Sequence, residues 1–360
     1  MKIGIMTQAL AVNFGGLIQN FALQKALSKL GHDAYTIRRS GKIPLRFTES
    51  CNKILLFDTK QKVKRILGRS SALTSKEYMH LRRNCMQFVK DYIKTTDTFR
   101  NQTELYKIVK EYNFKGYVVG SDQVWRPRYS QNIYNDFLDF CQEQKDIKRI
   151  AYAASFGVDN WEFSEEQTIK CASLAKNFNA ISVREDSAIS LCHNYLGMEA
   201  THVLDPTLLL EKEDYIEVIE KSGEKKLRGE LFCYILDTSD EIQYAIKNIE
   251  RRLSLKSIKA KSSPTKWLRA FMDAKMVFTD SFHGCVFSII FNKPFWVIGN
   301  DKRGNARFDS LLKMFALGNR RISIDEIKST DLTTPIEWNK VNAIKEELQK
   351  SSYEFITSNL

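Results

Sequence analysis

Residues 2–37, KIGIMTQALAVNFGGLIQNFALQKALSKLGHDAYTI, contain a complete β-α-β unit. Lys2 to Met6 is a short apolar strand, and Gly15 and Gly16 mark a turn. From Leu17 to Leu30 apolar residues recur at helical spacing, until Gly31 stands where a helix C-terminus favours glycine. Ala34 to Ile37 then returns as a second strand. Strands joined through a helix lie parallel, so the unit predicts a parallel sheet covered on both faces.

The same alternation extends outward. Strands are expected at Gly116–Val119, Arg149–Ala153, Ala180–Val183 and His202–Leu204, with a helix from Asp186 to Tyr195. A polar linker, Lys221 to Glu230, opens a second series. Its strands are Leu231–Leu236, Ser257–Lys259, Met276–Phe278 and Phe295–Ile298, and its helices are Glu241–Leu253, Thr265–Phe271 and one from His283. The fold class is α/β, with two doubly wound Rossmann-like domains at 1–220 and 221–335 and a C-terminal helix at 336–360. Ligands of such sheets gather beyond the carboxyl ends of the strands.

One segment departs from the alternation. A helical insertion at residues 40–100 has candidate helices at Lys53–Leu67 and Lys76–Ile93. Between Arg38 and Arg100 lie 16 basic and 5 acidic residues, a net of +11 in a chain whose total is +12. The excess charge is local.

Composition narrows the function. With 43% hydrophobic and 27% charged residues the chain is globular, not disordered. Its most apolar stretch, Gly284–Phe291, is far shorter than the roughly 20 residues of a membrane span. The apolar run at the N-terminus is too short for a signal peptide. Seven cysteines without a C-x-x-C pair, and five scattered histidines, predict no zinc ribbon, no disulfide framework and no metal site. A reducing cytoplasm is the expected setting.

Four turns carry candidate chemistry. Asn13-Phe14-Gly15-Gly16 joins strand to helix, where free N–H groups favour an anion; a plain tight turn has the same sequence. No dinucleotide or Walker fingerprint is present. Ser121, Asp122 and Gln123 follow the strand ending at Val119 and would form a polar rim, unless Asp122 only caps a helix. Arg184 follows Val183, placed to fork onto a carboxylate or phosphate, or to pair with Glu185 at the surface. The strongest is Thr279-Asp280-Ser281-Phe282-His283-Gly284 between a strand and an apolar helix. It sets His283 beside Ser281 at the mouth of a sheet, where a general acid or base belongs.

Taken in order, Asn13-Phe14-Gly15-Gly16-Leu17-Ile18-Gln19, Gly120-Ser121-Asp122-Gln123-Val124-Trp125, Ser182-Val183-Arg184-Glu185, Asp205-Pro206-Thr207 and Asp280-Ser281-Phe282-His283-Gly284 resemble the polysaccharide pyruvyl transferase family. The resemblance implies a GT-B-like fold. It also implies transfer of the enolpyruvyl group of phosphoenolpyruvate, a co-substrate, onto two hydroxyls of a sugar, giving a cyclic ketal and phosphate with no cofactor. His283 would be the acid/base residue and Arg184 a ligand clamp. Many relatives carry Arg two residues before this histidine, where this chain has Ser281, so Arg303 or Arg307 is expected to supply the missing cation. The acceptor would be a lipid-linked oligosaccharide of surface polysaccharide assembly. The enzyme would be cytoplasmic; the mixed apolar and basic residues of the insertion either seat it peripherally on the anionic inner membrane face or pack on the domain with their charges solvated. Two rivals stand: a nucleotide-sugar glycosyltransferase of the same fold, and a nucleic-acid-binding protein suggested by the charge. The second lacks any binding motif or aromatic spacing, so no nucleic-acid partner is expected.

Overall fold

The computed structural model describes residues 1–41, 58–59, 73–237, 239–260, 262–299 and 306–360. The first sheet has six parallel strands: β1 (Lys2–Met6), β2 (Asp33–Thr36), β3 (Gly116–Val119), β4 (Lys148–Ala154), β5 (Ala180–Val183) and β6 (Thr201–His202), in the order β2-β1-β3-β4-β5-β6. Ile3 faces Ala34 on one side and Gly116 on the other. The chain therefore leaves β1 toward β2 and returns to β3 on the opposite flank, a switch point whose carboxyl ends open a crevice.

The second sheet is built alike from β7 (Leu231–Tyr234), β8 (Met276–Thr279), β9 (Phe295–Ile298) and β10 (Arg321–Ile322), in the order β10-β9-β8-β7. The strand expected at Ser257–Lys259 reduces to one bridge, Ser257 to Leu231. That bridge lies on the far side of β7 from β8, so this sheet too reverses beside β8.

Helix α1 (Phe14–Lys29) begins where the Asn13 side chain accepts a hydrogen bond from Gly16 N–H. It is buried nearly all round, a pattern expected of a helix between two layers rather than on a surface. Phe14 meets Trp267 at 6.3 Å between ring centroids, so α1 packs on a helix of the second series. One apolar core thus runs through both sheets.

Helix α2 (Ser75–Tyr92) starts with a Thr74–Glu77 capping box and turns Tyr78, Cys85, Phe88 and Val89 inward. This is the second of the two helices expected in the basic insertion; the first, Lys53–Leu67, falls largely outside the described residues. Helices α3 (Gln102–Tyr112), α4 (Glu165–Ala175), α5 (Ser187–Leu191) and α6 (Lys212–Lys221) follow, and then α7 (Asp240–Leu253) and α8 (Pro264–Asp273). Every residue of α9 (Phe282–Ile290) is buried. After α10 (Ala306–Met314), helix α11 (Trp338–Asn359) crosses back to the first sheet. There the Ser352 hydroxyl accepts from Leu204 N–H at 3.1 Å, and Gln349 donates to the Leu208 carbonyl at 2.7 Å. Among the described residues no helix is long and apolar enough to cross a membrane.

Candidate active site

The two switch points face one another. Loops leaving β1, β3 and β5 bring Asn13, Asp122 and Arg184 to one edge, and the turn after β8 brings His283 against them. A Cβ on Gly15 would lie 2.1 Å from His283 Nδ1, so only a glycine at the start of α1 lets the imidazole sit there.

Arg184 organises the buried layer. Its guanidinium donates to Asp205 Oδ2 at 2.9 Å and to Asp122 Oδ1 at 3.2 Å, and its side chain is 1% exposed. The cation also lies 4.4 Å from the centroid of the Phe282 ring. Both ends of the fork are committed to carboxylates and Nε lies 4.0 Å from Glu185 Oε2, so the pair with Glu185 exists but is buried, inside an internal ion cluster and not at the surface. Burial lowers the proton affinity of this guanidinium, but Asp122, then Asp205 and Glu185, raise it further.

Asp205 binds a third group. Its Oδ2 stands 3.7 Å from His283 Nε2, an ion-pair distance, while Oδ1 accepts from Thr207 N–H and hydroxyl at 3.0 and 2.6 Å. Burial pushes this carboxyl up, yet the adjacent His283 imidazole and the Arg184 charge hold it well below the usual carboxylate range. Asp122 shows the same balance: burial raises it, and Arg184, followed by His283 and Arg307, outweigh that. Asp122 has φ +67 and caps no helix; its Oδ2 accepts from Asn13 Nδ2 at 3.3 Å.

A cavity of about 260 Å³ opens here, lined by Asn13, Gly15, Asp122, Gln123, Ser281, His283 and Arg307 among others. Gly16 lines an adjoining cavity of about 180 Å³ that shares Asn13 and Asp122. Arg307, at the start of α10, is lowered to about 10 by burial and then by the like charge of Arg184. Ser121 has a different place. It is fully buried and its hydroxyl donates to the Ala153 carbonyl at 2.7 Å, so it braces the loop instead of facing a ligand. Arg303 lies outside the described residues. Another cavity, about 690 Å³, shares no lining residue with the one that His283 lines and lies between α2 and the start of α8. There Glu224 already accepts from the Ser263 and Thr265 hydroxyls at the helix start, and no acid/base constellation converges.

Three participants escaped the reading of individual residues. Asp205 and Asp280 stand inside sequence motifs that give them no individual role, and the sequence offers Glu185 only as a surface partner. Asp280 accepts from Leu236 and Asp237 N–H at 2.7 and 3.0 Å, which fixes the loop whose Leu236 closes the cavity. Glu185 Oε1 accepts from Ser155 Oγ and from Phe156 and Gly157 N–H. The available signal was position: each acid follows, or nearly follows, the end of a parallel strand. Among the described residues no group of His, Cys, Asp and Glu is arranged to hold a metal ion.

Two doubly wound parallel sheets, closed over a cavity that His283 lines at facing switch points and tied by a returning C-terminal helix, define a protein of the GT-B fold. UDP-GlcNAc 2-epimerase from Methanocaldococcus jannaschii is similar over 98% of this chain and 100% of its own, at 11% identity and a TM-score of 0.50. Arabidopsis thaliana UGT89C1 complexed with UDP-L-rhamnose is similar over 99% and 98%, at 7% identity and 0.52. UDP-GlcNAc 2-epimerase from Neisseria meningitidis bound to UDP-GlcNAc is similar over 97% and 100%, at 9% and 0.50. At such identities the likeness is one of fold. No curated protein matches the sequence. The profile of the polysaccharide pyruvyl transferase family matches residues 13–302, and the chain belongs to that family.

Proposed function

We propose that this transferase moves the enolpyruvyl group of phosphoenolpyruvate onto two hydroxyls of one sugar, releasing phosphate. The observation that carries the reading is His283 and Arg307 on the wall of a cavity of about 260 Å³ in a chain of this family.

His283 protonates the methylene carbon of phosphoenolpyruvate, which becomes a methyl group, and positive charge develops at the adjacent carbon. The first sugar hydroxyl bonds to that carbon and returns its proton to His283. Cleavage of the carbon–oxygen bond then expels phosphate, and the second hydroxyl closes the ketal while its proton leaves with the phosphate. Arg307 and the N–H groups at the start of α1 answer the donor's anionic ends. Asp205, 3.7 Å from Nε2, is the counter-ion when the ring carries the proton. The proposal extends to a lipid-linked acceptor at an anionic membrane face, supported by the +11 segment at residues 38–100.

Melting curves test the donor. Phosphoenolpyruvate should raise the melting temperature where UDP does not, because a ligand of the native state stabilises it by mass action. Stabilisation by a nucleotide sugar alone would move the assignment to the glycosyltransferase reading.

A further inference from the structure

The cavity has two unlike walls. His283 and Arg307 stand on the second-sheet side, and Asn13, Asp122 and Gln123 on the first-sheet side. Asp122 already accepts from Arg184 and Asn13. An ionised carboxylate offers about four lone-pair sites, so it retains capacity for a further donor.

Gln123 beside it is oriented by its surroundings. Its Oε1 accepts from Arg126 Nη1 at 3.0 Å, and since a guanidinium carries no acceptor, this bond fixes which end of the amide faces Arg126. Glu162 grips Arg126 through Nε and Nη2, both at 2.9 Å, a bidentate fork that stops the guanidinium turning. Gly157 makes the room: a Cβ there would lie 2.0 Å from Gln123 Oε1. The Nε2 hydrogens face elsewhere, and among the described residues no acceptor takes them. An amide donor with no protein acceptor among those residues therefore stands next to a carboxylate with spare capacity, and both residues line the one cavity.

We infer that Asp122 and Gln123 form the sugar subsite and read a diol, one hydroxyl donating to Asp122 and the oxygen of its neighbour accepting from Gln123 Nε2. The inference rests on the pyruvyl-transfer reading, which requires two hydroxyls of one sugar to face the same carbon. Charge decides which substrate takes which wall. A hydroxyl gains a charge-assisted hydrogen bond from Asp122, whereas a phosphate there would set two anions together in a low-dielectric site. Arg126 and Glu162 are positioning residues acting through Gln123.

Gln123→Met keeps the length and removes the donor. With methyl β-galactopyranoside as the probe, the acceptor concentration for half-maximal rate should rise about three- to tenfold, the size of one lost hydrogen bond. Phosphoenolpyruvate should raise the melting temperature of the variant as much as that of the wild type. Glu162→Gln should shift the acceptor dependence in the same direction with the donor response again unchanged. A Gln123→Met enzyme that loses the phosphoenolpyruvate response and keeps the wild-type acceptor dependence overturns the assignment, because the donor then occupies this wall. Saturation-transfer NMR with methyl β-galactopyranoside alone separates the subsite from the donor question. Transfer seen in the wild type and lost in both Asp122→Asn and Gln123→Met supports the subsite even if phosphoenolpyruvate proves not to be the donor, and equal transfer in all three overturns it.

Discussion

At the residue scale His283 and Gly15 act as one unit. Losing a positioned acid/base group should lower turnover about 100-fold or more, so His283→Gln is expected to fold, bind phosphoenolpyruvate and turn over at 1% or less of the wild-type rate, roughly. Gly15→Ala gives a sharper test. The added Cβ would lie 2.1 Å from Nδ1 and 2.5 Å from Cγ of the buried His283 ring, so the ring must move and both kcat and the melting temperature should fall. Unchanged kcat would remove the contact from the mechanism. Arg184→Lys keeps the charge but cannot reach both carboxylates; it should cost roughly 1–3 kcal/mol in urea unfolding, the cost of leaving a buried acceptor unsatisfied. Acid unfolding checks the same cluster. Asp205 and Asp122 have folded-state pKa values below the unfolded value near about 3.9, so their stabilisation is complete above that pH and is lost as pH falls through the folded values. Wild-type stability from this pair should therefore be flat from neutrality to about pH 4 and fall below it, with a shallower acid limb in Asp205→Asn. The histidine was legible in the sequence because it sits at a strand-to-helix turn. The ion cluster was not: Arg184 finds Asp122 62 residues away and Asp205 21 residues away, and no spacing rule encodes such pairs.

Helix α11 makes the corresponding case among the elements. The family match ends at residue 302, yet this helix holds the loop that carries Asp205. Besides the Ser352 and Gln349 bonds, Tyr353 donates to the Leu209 carbonyl at 2.9 Å and Lys345 pairs with Glu211 at 2.7 Å. Gln349→Leu leaves the buried Leu208 carbonyl without this donor and should cost about 1–3 kcal/mol of stability. If the helix positions Asp205, kcat should fall as well, at a temperature where the variant is fully folded; unchanged kcat there would reduce α11 to a packing element. Most elements were legible from the sequence. The strands at Gly116–Val119, Ala180–Val183 and Phe295–Ile298 fall where their apolar runs end. Pairing was harder to read. Ser257–Lys259 has the residues of a strand but makes one bridge, and β10 is two residues long, too short for any periodicity. Helix α4 carries a capping box at Ser164 and Gln167 that was open to reading.

For the whole molecule the charge is concentrated in one segment, +11 of +12 between Arg38 and Arg100. Helix α2 accounts for part of it by packing: its apolar face lies inside, against the core, and its basic residues face outward. The stretch Lys53 to Leu67 mixes Ile54, Leu55, Leu56, Phe57, Val63, Ile66 and Leu67 with Lys60, Lys62, Lys64 and Arg65. Such a mixture suits a segment held at an anionic lipid surface, where each basic residue contributes about 1 kcal/mol. An acceptor carried on a lipid would give that attachment a purpose, since a surface-bound enzyme meets its substrate in two dimensions. Two consequences separate this from charges that are merely solvated. The protein should sediment with vesicles containing phosphatidylserine, and less so as salt rises, because screening shortens the reach of surface charge. Reversing Lys62, Lys64 and Arg65 to glutamate should abolish sedimentation while leaving turnover of a soluble methyl galactoside, which needs no membrane, at the wild-type rate. Vesicle binding that survives both the reversal and high salt would end the membrane-surface proposal.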